Sequence, residues 1–160
     1  MQQVLATLGF RWWALCKVPM LFLLRPWVTT HSTQKVSVRI PLGWLQRNHL
    51  NSMYVAVMIA GADAAAGLLT DAICRQNHSK AIGLSFKEFN CKFNRRATAA
   101  TEFTCTDTKL LQKAFKEAIR TGERQNQKVK VIATYTDKGQ LLECARFTIV
   151  VSFRAAAIRS

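Results

Sequence analysis

One carboxylate stands alone in the apolar stretch between Leu50 and Leu69: Asp63, with no acidic residue anywhere before it. Ionised and unpaired in an apolar interior, it would cost several kcal/mol or hold its proton to a higher pH. Such a group is a structural ion-pair partner, a polar residue at a helix end, or an acid–base group facing a pocket. Small residues surround it (Ala60, Gly61, Ala64 and Gly67), leaving room for another backbone or a thin ligand on the same side. Asn48 reads by residue type as a cap in the loop entering a helix. Tyr54 suits the core and a pocket wall equally, and His49 reads as a loop histidine. Lys87, Lys92, Arg95 and Arg96 gather along one segment. They make either a solvated positive face or a grip for phosphates, with the Arg guanidinium able to engage one bidentately. The five cysteines are scattered, with no C-x-x-C and no histidine at ligand spacing. They read as buried thiols of a reducing compartment, and no metal site is expected.

These residues need elements to hold them. Leu50 to about Arg75 is apolar on nearly every face and predicts one long buried helix, with Asn48, Asn51 or Ser52 as its cap. Before it, Gln34–Leu42 alternates, with Val36, Val38 and Ile40 on one side and Lys35, Ser37 and Arg39 on the other, which predicts a half-buried strand. Earlier still, Val4–Val18 and Met20–Leu24 predict short amphipathic helices anchored by tryptophan, and Thr29–Thr33 a polar joint. The interspersed Arg11, Lys17, Arg25, Pro19 and Pro26 argue against a membrane span or a signal peptide. Contact of this segment with a membrane surface stays open.

After the long helix the chain turns to strands. In Ile82–Asn94 the apolar positions Ile82, Leu84 and Phe86 are followed by Phe89, Cys91 and Phe93, so the phase flips near Lys87-Glu88 and predicts a bulge. Ala97–Thr106 is a further strand. Asp107 or Thr108 then caps a helix carrying Leu110, Leu111, Ala114, Phe115, Ala118 and Ile119 at helical spacing, with Gly122 past its end. Lys128–Thr136 and Leu141–Phe153 form a hairpin across Asp137-Lys138-Gly139-Gln140. The expected domains are a helical extension over 1–33, a sheet-and-helix domain over 34–154 and a tail over 155–160.

The whole has 160 residues and a net charge of +14, from 23 Lys and Arg against 9 Asp and Glu. That charge attracts polyanions of any kind. No nucleic-acid motif accompanies it and the aromatics sit at core spacing, so a nucleic-acid partner is not expected.

The order of one strand, a long apolar helix, then four strands with a small helix inserted resembles the hotdog fold, an α+β architecture whose curved antiparallel sheet wraps one helix. The resemblance extends to residues. Acyl-CoA thioesterases of the phenylacetate-pathway type carry a leading Asn and a His-Gly-Gly at the helix start. An Asp among small residues with a following Gly comes later. Ala62-Asp63-Ala64-Ala65-Ala66-Gly67 is similar to the acidic part, and Asn48 to the leading Asn. A nearer likeness is to an uncharacterised bacterial branch of thioesterase-like proteins with Arg-Asn-His-Leu-Xaa-Ser-Met-Tyr, present here as Arg47–Tyr54. Phe86-Lys87-Glu88-Phe89, Phe93-Asn94-Arg95-Arg96, Thr121-Gly122-Glu123-Arg124 and Ala145-Arg146-Phe147-Thr148 belong to the same likeness. The His-Gly-Gly falls on Tyr54-Val55-Ala56, so the glycines are absent.

The resemblance implies a cytoplasmic, cofactor-free acyl-CoA thioesterase working as a homodimer or tetramer with pockets between subunits. It implies Asp63 and Asn48 as catalytic groups, backbone N–H donors near Tyr54 and Val55, and Lys87, Arg95 and Arg96 on the CoA phosphates. The alternative is a hotdog module that binds acyl thioesters or lipids without turnover, which the missing glycines favour.

Overall fold

The elements run α1 (Gln2–Lys17), α2 (Pro19–Leu23), β1 (Trp27–His31), β2 (Val36–Ile40), α3 (Val55–Gln76), β3 (Ser79–Phe93), β4 (Thr101–Cys105), α4 (Thr108–Thr121), β5 (Gln125–Asp137) and β6 (Gln140–Ala157). The computed structural model describes residues 2–77 and 79–157. All six strands join one antiparallel sheet in the order β1-β2-β4-β5-β6-β3. The sheet curls around α3, which packs against every strand. By length and composition α3 would also cross a membrane, but most of it is buried as the core helix of this domain.

Strand alternation builds that core. Val36, Val38 and Ile40 of β2, Val129, Val131 and Ala133 of β5, and Phe147, Ile149, Val151 and Phe153 of β6 are all buried, as a period of two demands of one sheet face. Phe147 sits at the centre, its ring 5.9 Å from Phe89, 6.2 Å from Phe93 and 6.4 Å from Phe103. At Gly61 the helix comes so close to the sheet that a Cβ would lie 2.3 Å from the Phe103 ring. α4 closes the far end through Leu111, Phe115 and Ala118, with Phe115 stacked on Phe153. It stops at Gly122, whose φ of 69° is the left-handed conformation a helix terminus needs. The β5–β6 hairpin turns through Lys138 and Gly139, both at positive φ, as a tight two-residue loop requires.

The bulge expected near Lys87-Glu88 is present: Phe86 pairs with Val151 and Glu88 with Val150, leaving Lys87 unmatched. A second irregularity lies between Ile82 and Ser85. There Gly83 takes φ 59° and its carbonyl accepts from the Arg124 guanidinium at 3.0 Å.

Several details differ from the sequence expectation. Thr29–Thr33 is not a joint, because Trp27–His31 is β1, paired with β2 across an irregularity between Val28 and Thr30. The sheet therefore begins before residue 33. Ser37 lies on the Arg39 side of β2 yet is buried, its hydroxyl 2.8 Å from that of Thr104. Residues 155–157 continue β6 and do not form a tail. The long helix starts at Val55, not near Leu50, and none of Asn48, Asn51 and Ser52 caps it. Tyr54 is the N-cap residue and makes no side-chain cap bond. Residues 48–52 are held off the helix by the Asn48 side chain, whose Oδ1 accepts from the Leu50 and Ser52 amides and the Ser52 hydroxyl. Asp107 is the N-cap residue of α4, but its carboxylate accepts from the Lys130 amide across the fold.

Candidate functional site

Two recesses flank α3. The smaller, about 340 Å³, lies at the start of the helix. Asn48, Met53, Val55 and Met58 form one side, and Phe93, Asn94, Arg95, Arg96 and Ala97 the other. β3 ends here, and the chain is pinned back by the Asn94 and Arg95 amides, which both donate to the Cys144 carbonyl. The Met53 amide donates to the Ala97 carbonyl at 2.8 Å, joining the two walls. Asn48, Val55, Arg95 and Arg96 thus share a single pocket.

The backbone at the head of α3 narrows which donors stay free beside it. The Tyr54 N–H donates to the Gln46 carbonyl at 2.9 Å, while the Tyr54 carbonyl takes up the Val57 and Met58 amides. The Val55 and Ala56 N–H groups open the helix with no acceptor among the described residues. Two adjacent N–H groups at the positive end of a 22-residue helix make a donor pair for developing negative charge. The Asn48 oxygen is committed to its own loop, leaving its amide nitrogen as the donor that side chain offers.

The larger recess, about 590 Å³, runs between α1, α3 and β3. Asp63, Ala64, Gly67, Leu68, Asp71 and Arg75 of α3 make its floor, Leu84 and Phe86 of β3 one wall, and Leu5, Gly9, Phe10 and Trp13 of α1 its roof. Asp63, Gly67, Asp71 and Arg75 recur every fourth residue and so share one helix face. A Cβ built on Gly67 or on Gly9 meets nothing within 4 Å, which marks the open space. Asp71 and Arg75 pair with each other at 2.7 Å near solvent. Asp63 has no hydrogen bond or ion pair among the described residues. Burial alone lifts its carboxyl from 3.8 to about 6, since nothing nearby repays the loss of water around the charge.

Asp63 and the Asn48 pocket are therefore separate within one chain. Eight helical steps, about 12 Å at 1.5 Å each, separate Val55 from Asp63. Lys87 is apart from both recesses, about 20 Å of strand from the Phe93 end where Arg95 and Arg96 emerge, so the basic cluster expected from the sequence does not form as one group. Tyr54 is half-exposed beside the smaller pocket and does not line it. Among the described residues no cluster of His, Cys, Asp and Glu suits a metal, and none of the cysteines is in a disulfide. Burial pushes the Cys91, Cys105 and Cys144 thiols up to about 11; Cys16 alone is exposed. Sequence reasoning missed the Ala56 N–H and the roof over Asp63. The roof had no sequence signal, because the lining residues of α1 look like any packed helix face.

The same architecture recurs in solved structures. A Pseudomonas aeruginosa protein described as a "probable thioesterase" superposes with a TM-score of 0.71 at 18% identity, covering 88% of this chain and 89% of that one. A thioesterase family protein from Silicibacter pomeroyi gives 0.68 at 12% identity, covering 94% and 99%. A protein of unknown function from Chlorobaculum tepidum gives 0.78 at 10% identity, covering 95% and 96%. A comparison with curated proteins finds no significant match. The fold is the hotdog fold that these structures share. By sequence the chain belongs to the family of domains of unknown function DUF4442, which it matches over residues 7–151.

Proposed function

We propose that the protein hydrolyses acyl-CoA thioesters, with Asp63 as the base or nucleophile. One observation carries this reading: a carboxyl group with no partner among the described residues, on the floor of an apolar cavity, with its pKa raised by burial to about 6. Near neutral pH such a group is ionised and poorly solvated, which is the state a general base needs. As a base it takes a proton from water while the water oxygen bonds to the thioester carbon. The Val55 and Ala56 N–H groups hold the resulting oxyanion. The carbon–sulfur bond then breaks and the proton passes to the departing CoA sulfur. Asn48 positions the carbonyl through its amide nitrogen, and Arg95 and Arg96 hold CoA phosphates.

The separation of these groups favours a site shared by two subunits, with Asp63 of one facing the Asn48 pocket of the other. β3 supports such pairing. It is an edge strand of fifteen residues, whose outer row of amides and carbonyls is open to a second copy.

Hydrolysis of a panel of acyl-CoAs by wild type and Asp63→Asn tests the reading. Turnover is expected to rise with pH through about 6, as a base must be ionised, and to be lost in the variant while its circular dichroism is unchanged. Retained turnover in Asp63→Asn sinks the assignment. Tight acyl-CoA binding without turnover in wild type favours the second reading, a binding module, which the absence of glycine at Val55 and Ala56 supports.

A further inference from the structure

The chain carries an apolar surface that its own fold leaves uncovered. On α1, Thr7, Phe10 and Ala14 are buried against the domain. Leu8, Trp12 and Leu15 follow the same three- and four-residue spacing on the opposite side, and all three are exposed. A surface helix normally turns polar residues outwards; this one is apolar on both sides. Met20 and Leu23 of α2, and Trp44 and Leu45, are exposed as well. The buried Gln46 joins these parts by donating its side-chain amide to the Leu24 carbonyl at 3.2 Å.

Two further features say what covers it. All four tryptophans of the chain lie between residues 12 and 44, and each is exposed, Trp12 at 70% and Trp44 at 87%. Tryptophan packs a core well when buried, and it favours the lipid–water boundary when it is not. The segment's charges are all of one sign. Arg11, Lys17, Arg25 and Arg47 flank the apolar residues, and no carboxylate occurs before Asp63. An apolar surface ringed by cations complements a bilayer with anionic headgroups.

We propose that the α1–α2 face, with Trp44 and Leu45, docks on the surface of an anionic membrane. Docking sets the larger recess, roofed by Leu5, Phe10 and Trp13, next to the lipid, where an acyl chain passes into it without crossing bulk water. The docking itself needs no hydrolysis, so it stands or falls independently of the role given to Asp63.

The test is co-sedimentation of the full chain with phosphatidylcholine vesicles containing one quarter phosphatidylglycerol, and with phosphatidylcholine alone. The anionic vesicles are expected to bind the protein more tightly, and salt to weaken the binding. Leu8→Glu with Trp12→Glu, both outside the recess, should lower the vesicle-bound fraction about tenfold. Lys17→Gln with Arg47→Gln should lower it only for the anionic vesicles. Asp63→Asn should bind like wild type. Absence of wild-type binding, or unchanged binding by the Leu8/Trp12 variant, overturns the proposal. So does a fall in the solution mass of that variant to a smaller oligomer, because the face is then an interface between copies of the chain.

Discussion

Replacing Asp63 by asparagine removes one ionisation and nearly nothing else in volume, so its effect on stability reads the environment of the carboxyl directly. Burial raises the folded-state value from 3.8 to about 6. Below pH 3.8 both folded and unfolded chains hold the proton, and the residue contributes no pH dependence. Between 3.8 and about 6 the unfolded chain has released the proton while the folded chain keeps it, so wild-type stability falls as pH rises. Above about 6 both are ionised and the full penalty is present. At about 1.4 kcal/mol per pH unit that penalty reaches about 3 kcal/mol. Asp63→Asn should escape it. The stability difference in favour of the variant should grow from its pH 3 value by about 3 kcal/mol and level off above pH 6.5. At roughly 2–4 °C per kcal/mol for a chain of this size, the melting temperatures should separate by a further 6–12 °C or so. Thermal and urea denaturation of both proteins at four or five pH values measures this, and any constant effect of the amide cancels in the slope. A difference that stays level from pH 4 to 7.5 refutes the reasoning, since it means the carboxyl is solvated. A difference that runs the other way means a cation pairs with it.

Other perturbations have equally definite outcomes. Gly61→Ala places a methyl 2.3 Å from the Phe103 ring and should cost about 1–3 kcal/mol, whereas Gly67→Ala, whose Cβ meets nothing within 4 Å, should gain up to about 1 kcal/mol from helix propensity; urea titrations separate the two. Phe147→Ala removes the ring that three other phenylalanines touch and should cost about 3–5 kcal/mol by the same measurement. Arg95→Ala with Arg96→Ala should raise KM for an acyl-CoA about tenfold or more with kcat little changed, and leave KM alone for an acyl-pantetheine thioester, which lacks the nucleotide phosphates.

Local patterns carried much of this fold. The odd step from Phe86 to Phe89 requires an unmatched residue wherever both rings face inwards, and the strand provides one at Lys87. Gly122 and Lys138-Gly139 marked their turns for conformational reasons that need no neighbours. β1 was not legible because five residues that include Thr29, Thr30 and His31 have no apolar period, and only pairing with β2 makes them a strand. The start of α3 was misplaced for a similar reason: Leu50 and Met53 suit a helix by composition. Three bonds to the Asn48 oxygen and one from Met53 to the distant Ala97 hold them outside it. At the site, the isolation of Asp63 was plain from residue types. Its distance from Asn48, and the arrival of Arg95 and Arg96 beside that residue, follow from where β3 ends against β6, which no spacing within the segment reveals.

The unmatched Lys87 lets one continuous ribbon serve two compartments. Upstream of it Leu84 and Phe86 face the guest space; downstream Phe89 and Phe93 clamp the Phe147 ring. Were Lys87 drawn into the regular ladder instead, Phe86 and Phe89 would fall on opposite faces, and one half of the ribbon would turn outwards, emptying either the receptacle or the centre of the protein. Capacity and solidity are thus linked through a single residue that stays out of the pairing.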